Sequence, residues 1–260
     1  MNIALYAAHN TNGVEPSSRI ALLNLVYNWF ETRYIHTHDI YTEEENSIHA
    51  LWCRHMKVPH DGLDFWMYYN FLIRHSIEWC EKLILLNSSV VVIRPLDELI
   101  RWCMGNESLF VWCCKSLIDI DPVKEYIESW FLTFKWTAVR DFYDYLMEYG
   151  VCMSKSDVIR VYELWLSDLF NNEKAAFTTR NTLTAIWWNL HGDDENTKWY
   201  NFSCSFAEPL LSVSTWVPFI KKTFDNYGAI AKYEEVIKYL ARYFNDGNTS
   251  ILRANMIIWL

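Results

Sequence analysis

The sequence predicts an α/β fold in which a mixed, mostly parallel sheet is flanked by helices and followed by a helical C-terminal part. Short apolar runs alternate with amphipathic stretches through the first half of the 260 residues, a pattern that is typical of a largely parallel sheet. Beyond Lys135 the helical stretches dominate. Because no evident linker interrupts the chain, we expect a single domain over residues 1–260.

Helix-capping residues and a proline indicate where individual helices begin. Ser17 or Ser18 can cap the first helix, and Pro95 can open another at the position where a missing N–H costs nothing. Ser154 and Asp157 have the spacing of a capping box. We expect strands over residues 3–8, 34–38, 83–87, 109–113, 127–134 and 175–178, helices after 17–18 and over 63–75, 96–104, 137–149, 154–171 and 233–244, and a loop over 191–197.

Composition excludes several classes of protein. The 23 Lys+Arg against 32 Asp+Glu give a net charge of −9 without a basic block, which argues against nucleic acid or an anionic membrane as the main partner. No apolar run approaches the roughly 20 residues that cross a bilayer, and the N-terminus lacks a secretory signal. Seven cysteines without a Cys-x-x-Cys pair indicate buried free thiols. We therefore expect a cytoplasmic protein with no transmembrane segment.

Several well-known nucleotide-binding and catalytic motifs are absent from the sequence. The sequence contains no Gly-x-Gly-x-x-Gly, no Walker lysine motif and no Gly-x-Ser-x-Gly, which disfavours dinucleotide binding, P-loop nucleotide binding and the α/β-hydrolase reaction. His36 and His38 share a strand face, and His55 and His60 lie near one another in sequence, but the sequence fixes no third ligand. Hydrogen-bonded or solvent-facing histidines are the alternative, and we assign no metal ligand.

The most informative polar residues close an apolar strand. Asn87, Ser88 and Ser89 follow the run 83–86 directly. Open α/β sheets bind ligands at the carboxyl edge of their strands, so these residues are placed to face a ligand. The alternative is a turn in which Asn and Ser satisfy backbone groups.

Several segments occur in a recognisable order. They are Gly-Leu-Asp-Phe at 62–65, Leu-Ile-Leu-Leu-Asn-Ser-Ser at 83–89, Arg-Pro-Leu-Asp-Glu-Leu at 94–99, Tyr-Ile-Glu-Ser-Trp-Phe-Leu at 126–132, Ser-Lys-Ser-Asp-Val-Ile-Arg-Val-Tyr-Glu at 154–163 and Val-Pro-Phe-Ile-Lys at 217–221. This order resembles the rhamnan-synthesis F family of bacterial polysaccharide glycosyltransferases. The matches span about residues 3–225.

The resemblance implies a GT-A-like nucleotide-sugar fold, with a nucleotide-sugar-binding half at 1–115 and an acceptor-side, helical half at 116–260. It places Ala8 and His9 near the nucleotide base, and it makes Asp61 and Asp64 candidates to bind base or ribose. The segment Asn87-Ser88-Ser89 occupies the place where GT-A enzymes hold a divalent metal against the diphosphate.

Two departures from the family pattern bear on that site. Ser88 stands where the family has Asp, so the triplet lacks the carboxylate that Mn²⁺ or Mg²⁺ prefers. Metal use is therefore left open. Arg94, Lys115 or a helix N-terminus could neutralise the leaving diphosphate instead. Trp66 stands where the family has Gly, so a close backbone approach to the ligand is lost.

An inverting transfer needs a carboxylate to deprotonate the acceptor hydroxyl. Asp121, Glu128 and Glu163 are the candidates, and Asp119 lies in the same loop as Asp121. Glu128 aligns with a family Gln, which counts against it. Glu163 matches the family Glu, but a solvated or capping role on its helix is an equal alternative. Candidate platforms for stacking on sugar rings are Trp112, Trp130, Trp136, Trp187 and Trp188.

These observations favour a glycosyltransferase. We expect it to move a hexose or deoxyhexose, possibly rhamnose, from a nucleoside diphosphate sugar to a polysaccharide or glycan acceptor. The alternative is a catalytically decayed glycosyltransferase-like module that binds glycan or a partner protein, and a purely structural α/β protein is a third interpretation.

Overall fold

The computed structural model describes residues 1–9, 14–59, 62–75, 77–92, 95–118, 124–127, 129–150, 152, 154–170, 174–178 and 218–221. The strands are β1 Asn2–Ala8, β2 Glu31–His36, β3 Arg54–Lys57, β4 Lys82–Asn87, β5 Val90–Val92, β6 Phe110–Ile118, β7 Lys124–Ile127, β8 Phe131–Lys135, β9 Lys174–Thr178 and β10 Phe219–Lys221. The helices are α1 Pro16–Tyr27, α2 Thr42–Ala50, α3 Asp64–Leu72, α4 Asp97–Gly105, α5 Thr137–Tyr149, α6 Lys155–Val158, a π-helix over Ile159–Trp165, and α7 Leu166–Leu169.

The main sheet has the strand order β3-β2-β1-β4-β8-β6-β7, with β9 paired to β6. The strands β3, β2, β1 and β4 run parallel to one another, whereas β8 pairs antiparallel with both β4 and β6. The expected mixed, mostly parallel sheet flanked by helices is therefore confirmed. The order reverses between β1 and β4, and a reversal of this kind opens a crevice at the carboxyl ends of the strands.

Both faces of β1 are buried, because helices cover the sheet on each side. Tyr6 points to one face, where its ring stacks on that of Tyr34 at 6.0 Å among side chains of α1 and α4. Leu5 and Ala7 point to the other face, where α3 and α5 pack. On that second face Phe134 stacks on a ring of α5, with 4.4 Å between the centroids.

Two helices end in the same unusual way. In α1 the N–H of Phe30 donates to Leu25 and that of Trp29 donates to Val26, which is the Schellman pattern. The end of α2 repeats the pattern with Trp52 in the equivalent position. Trp29 and Trp52 have φ values of 65° and 60°, in the left-handed region where glycine is usual. Both side chains project into solvent, 89% and 87% exposed.

Several element predictions are confirmed. The strands expected at 3–8, 83–87 and 175–178 lie within a residue of β1, β4 and β9, and α5 has the predicted bounds. The predicted cap at 154 also forms, because the Asp157 N–H donates to Ser154 Oγ at 3.1 Å. Cys53, Cys80, Cys103 and Cys113 are buried free thiols, as expected, whereas Cys152 is half-buried.

Other element predictions are wrong. The residue before α1 is Glu15, and Ser18 lies within the helix, where its hydroxyl hydrogen bonds to Tyr6 Oη at 3.1 Å. The single strand expected over 127–134 is two strands, β7 and β8, separated by a turn. The second strand ends at His36 and does not continue to residue 38. The expected loop at 191–197 and helix at 233–244 lie outside the described residues.

Among the helices that the structure describes, none has both the length and the hydropathy that a membrane crossing requires.

Candidate functional site

The carboxyl ends of β1 and β4 lie side by side, since Ala7 pairs with Asn87 in parallel register. The Ser88 N–H donates to the Ala7 carbonyl at 2.8 Å. The His9 N–H in turn donates to Ser88 Oγ at 3.1 Å. These bonds bring Ala8 and His9 beside the Asn-Ser-Ser segment.

Asp64 joins this edge from a third segment of the chain. It is the first residue of α3, where a carboxylate is favoured by the partial positive charge of the helix N-terminus. Its Oδ1 lies 2.8 Å from His9 Nε2, and its Oδ2 accepts a hydrogen bond from Asn87 Nδ2 at 2.6 Å. We call His9, Asp64, Asn87, Ser88 and Ser89 the Asp64 cluster.

Asn87 orients the cluster from its centre. The residue is 2% exposed. Its Oδ1 accepts hydrogen bonds from the Ser89 N–H at 3.0 Å and from the Ser89 hydroxyl. With the Oδ1 so engaged, the amide must present its NH₂ group to Asp64. The buried amide therefore fixes the carboxylate and the serine relative to each other.

Two buried tyrosines lie near Asp64. Burial, together with the Asp64 charge, raises the pKa of Tyr68 well above its usual range. Burial raises the pKa of Tyr6 in the same way, and its hydrogen bond with Ser18 opposes the rise only in part. Both phenols therefore stay neutral at physiological pH.

Glu163 approaches the same edge from the C-terminal side. Ser129, in the turn between β7 and β8, donates to Glu163 Oε1 at 2.6 Å. The next residue, Trp130, accepts the Asn87 N–H through its carbonyl at 3.2 Å. Glu163 lies in the π-helix and is 9% exposed, so the solvated alternative does not hold. Segments of π-helix are rare in proteins as a whole, but those that occur are frequently found at functional sites.

A ring stack fixes α3 against the π-helix. Phe65 and Tyr162 lie face to face, with 4.2 Å between their centroids and 7° between their planes. Asp64 precedes one of these rings in the chain and Glu163 follows the other. The stack therefore holds the two carboxylate-bearing segments in a fixed relation.

The remaining predicted residues divide into three groups. Trp112 and Trp130 are 1% and 2% exposed, so the prediction that they form sugar platforms is wrong, and they belong to the core. Trp136 is about half exposed. The side chains of Asp61, Arg94, Lys115, Asp119, Asp121, Glu128, Trp187 and Trp188 lie outside the described structure.

Sequence reasoning missed Ser129 as the partner of Glu163. The two residues are separated by 34 positions, and each lies in a different quoted segment. No spacing rule links them, because their meeting depends on how the π-helix packs. The family-like order of the two segments was the available signal.

The donor set of the Asp64 cluster does not suit Mg²⁺ or Mn²⁺. These hard cations prefer charged oxygen ligands. Within the described part of the cluster, Asp64 is the carboxylate, and both of its oxygens are engaged, by His9 and by Asn87. Asn87 Oδ1 is engaged by Ser89. A cation would have to displace these contacts, so we assign no metal ligand in this cluster.

A cavity of about 910 Å³ lies at the opposite, amino edge of the sheet. Its walls include Glu81 before β4 and Trp136 after β8. Arg74, His75 and Arg140 also line it. It is therefore separate from the Asp64 cluster, which lies at the carboxyl edge.

No protein-family model matches the chain, and no curated protein sequence matches it. Similar solved structures include the galactosyltransferase LgtC in complex with donor and acceptor sugar analogues, at 14% identity, over 91% of this chain and 96% of that one, with a TM-score of 0.45. A second is the glycosyltransferase GlyE of Streptococcus pneumoniae, at 14% identity over 73% of this chain and 48% of that one, with a TM-score of 0.40.

A third similar structure is the 4-diphosphocytidyl-2C-methyl-D-erythritol synthase of Anaerococcus prevotii, at 9% identity over 68% of this chain and 86% of that one, with a TM-score of 0.41. Likenesses at these scores do not select one reaction among those named. The function is therefore argued from the site.

Proposed function

We propose that the chain is a cytoplasmic, GT-A-like glycosyltransferase that moves a hexose or deoxyhexose, such as rhamnose, from a nucleoside diphosphate sugar to a polysaccharide or glycan acceptor. The observation that carries the proposal is the Asp64 cluster, in which three segments meet where the strand order reverses. In this proposal residues 1–115 bind the nucleotide sugar and residues 116–260 bind the acceptor.

The Asp64 cluster offers hydrogen-bonding groups of the kind that a nucleotide sugar requires. The Asp64 carboxylate can accept hydrogen bonds from ribose hydroxyls or base N–H groups, and it is held in place by two partners. Ser88 Oγ accepts from the His9 N–H, so its own proton can be donated to a ligand oxygen. The Ser89 hydroxyl donates to Asn87, which leaves its lone pairs to accept.

Charge on the leaving diphosphate must be stabilised as the sugar departs. Because the donor set of the cluster does not suit a divalent cation, we assign this role to Arg94, Lys115 or a helix N-terminus. Developing negative charge is stabilised most by donors that are already oriented before the reaction.

Glu163 is the candidate base for the acceptor hydroxyl. Its carboxylate is largely withdrawn from water and is held by the Ser129 hydroxyl. Asp121 and Glu128 are the competing candidates. A single carboxylate that acts as general base contributes typically about 10²- to 10⁴-fold to the rate.

Binding of the donor tests the proposal first. Labelled UDP-, GDP- and dTDP-sugars are titrated into the protein with and without Mn²⁺, and we expect one class to bind. The substitution Asp64→Asn should weaken that binding about tenfold or more, since a hydrogen bond to a charged group is worth about 1.5–3 kcal/mol. The control Asp141→Asn removes an exposed carboxylate of α5 and should leave binding unchanged. Absence of binding to every donor would refute the proposal.

Turnover tests the assignment of the base. With a donor that binds, Glu163→Gln keeps an oxygen that can accept from Ser129, so donor affinity should be retained while transfer falls by about 10²-fold or more. Glu128→Gln and Asp121→Asn are measured beside it. Unchanged transfer in Glu163→Gln would exclude Glu163 as the base.

The second candidate function is a decayed module that binds glycan or a partner protein. The Asn87-Ser88-Ser89 segment has no carboxylate, and the carboxylate of Asp64 is engaged by Asn87. The usual cation ligands are therefore missing or occupied, which favours this alternative. Donor or glycan binding without any hydrolysis or transfer would support this alternative over the enzyme.

A further inference from the structure

A second group of ligand-type side chains lies between α2 and β3, outside the Asp64 cluster. Glu45 and His49 are four residues apart in α2, so they lie on one face of that helix. His55, in β3, faces them, with its Nε2 3.2 Å from Glu45 Oε1 and its ring centroid 5.8 Å from that of His49. One potential ligand atom from each of the three residues lies within 4.8 Å of the others.

Hydrogen bonds behind this group determine where His55 carries its proton. His36 Nδ1 lies 2.8 Å from the carbonyl oxygen of His38, and a carbonyl can only accept, so that nitrogen carries a proton. The buried His36 ring then presents its lone pair at Nε2. His55 Nδ1 lies 3.2 Å from this lone pair and donates to it.

This arrangement aims the other nitrogen of His55 at a carboxylate. With its proton on Nδ1, a neutral His55 has a lone pair at Nε2, directed to Glu45 Oε1. Two electron-pair donors face each other across the gap, which is unfavourable unless a cation or a proton lies between them. Histidine ligands of metal ions usually donate their second N–H to a carboxylate, carbonyl or water, which fixes the tautomer. For His55 the acceptor that fixes the tautomer is His36 Nε2.

We propose that Glu45, His49 and His55 bind a divalent transition-metal ion of the zinc type. Zinc takes His nitrogen at about 2.0–2.1 Å and carboxylate oxygen at about 2.0–2.2 Å, commonly in tetrahedral geometry. Two such ligand atoms on one tetrahedral ion are separated by about 3.4 Å, close to the 3.2 Å between His55 Nε2 and Glu45 Oε1. The exposed His49 side chain can turn to complete the third position.

Three protein ligands leave a coordination position for water or an exogenous ligand. The ion would fasten α2 to β3 and, through the bond from His55 to His36, to β2. The site uses no residue of the Asp64 cluster. It therefore stands or falls independently of the glycosyltransferase proposal.

The test is a Zn²⁺ titration of the full chain against a chromophoric chelator. Wild type is compared with Glu45→Gln and His49→Ala. The matched control is Glu43→Gln, which removes the same charge from the same helix at an exposed position. We expect zinc affinity to fall by more than about tenfold in the two ligand variants, because loss of even an outer-shell partner costs about 10- to 100-fold. The control should bind zinc as wild type does.

A second measurement guards against misfolding of the variants. Zinc should raise the thermal midpoint of wild type and Glu43→Gln, but not that of Glu45→Gln, because an ion that binds the folded state stabilises it. Co²⁺ bound to wild type should show the visible absorption of a low-symmetry site. Equal zinc affinity in Glu45→Gln and Glu43→Gln, or no binding by wild type, would overturn the proposal and assign the gap to a proton.

Discussion

Asn87→Asp is the change that most directly tests the geometry of the Asp64 cluster. The side chains have nearly the same shape, but an amide that donates to Asp64 Oδ2 at 2.6 Å becomes a carboxylate facing it. Two negative oxygens at that distance repel by about 6 kcal/mol at an effective dielectric constant of 20. The pair can relieve this repulsion by taking up one proton.

The folded variant either keeps both carboxylates charged or takes up one proton, and the state with the lower free-energy cost determines the expected loss of stability. Protonating a carboxyl with an ordinary pKa of about 3.9 costs about 4 kcal/mol at pH 7 and about 1.5 kcal/mol at pH 5. Both values are below the repulsion, so protonation wins. The pKa of the new carboxyl in the folded protein is raised, so the deficit is absent below about pH 4 and grows as the pH rises. We expect the variant to be less stable than wild type by up to about 4 kcal/mol at pH 7.

Urea unfolding followed by circular dichroism, at pH 7 and pH 5, measures both deficits. The control Asn87→Ala removes the same hydrogen bonds without adding a carboxyl, so it should lose about 1–3 kcal/mol equally at both pH values. A deficit in Asn87→Asp that does not shrink at pH 5 would show that this amide does not face Asp64.

Three further outcomes are expected. Ser88→Asp adds a second carboxylate to the Asp64 cluster, so donor binding should become dependent on Mn²⁺, and a titration that is identical with and without Mn²⁺ would contradict this. Phe65→Ala removes a 2% exposed ring from the stack on Tyr162 and should lower the free energy of unfolding by about 3–5 kcal/mol, with a loss under about 1 kcal/mol arguing against the stack. Burial raises the pKa of Cys53 and of Cys103 to about 12, so iodoacetamide at pH 8 should label them after unfolding and not before, as read by peptide mass spectrometry.

Much of the fold could be predicted where local chemistry and periodicity agree. Helix α5 has its predicted bounds because its buried positions recur at helical spacing and Gly150 follows directly. Strand β4 is a continuous apolar run that is closed by polar residues. The position of Asn87 at the carboxyl edge then followed from the general behaviour of parallel sheets.

The region between residues 42 and 57 could not be predicted in the same way. Helix α2 has one buried residue, Ile48, so it lacks the apolar stripe that marks a helix in sequence. Strand β3 is a four-residue edge strand with no buried residue. Because these weakly patterned elements carry the proposed zinc ligands, the sequence predicts no third partner for the histidines.

Contacts across long separations were also beyond sequence reasoning. The bond from Ser129 to Glu163 forms because a π-helix, which has no sequence signature, packs near the turn after β7. The contact of Asp64 with His9 spans 55 positions. Convergence at the edge could be predicted, whereas the particular donor and acceptor pairs depend on side-chain packing.

Trp29 and Trp52, which follow α1 and α2, imply that the same backbone could be made more stable by substitution. A bulky residue in the left-handed conformation costs about 1–2 kcal/mol, and rings that are 89% and 87% exposed recover little of it through packing. Glycine at positions 29 and 52 would relieve that penalty, partly offset by the greater freedom of the unfolded chain. The native sequence is therefore less stable than its backbone allows, at two helix ends that are remote from the crevice.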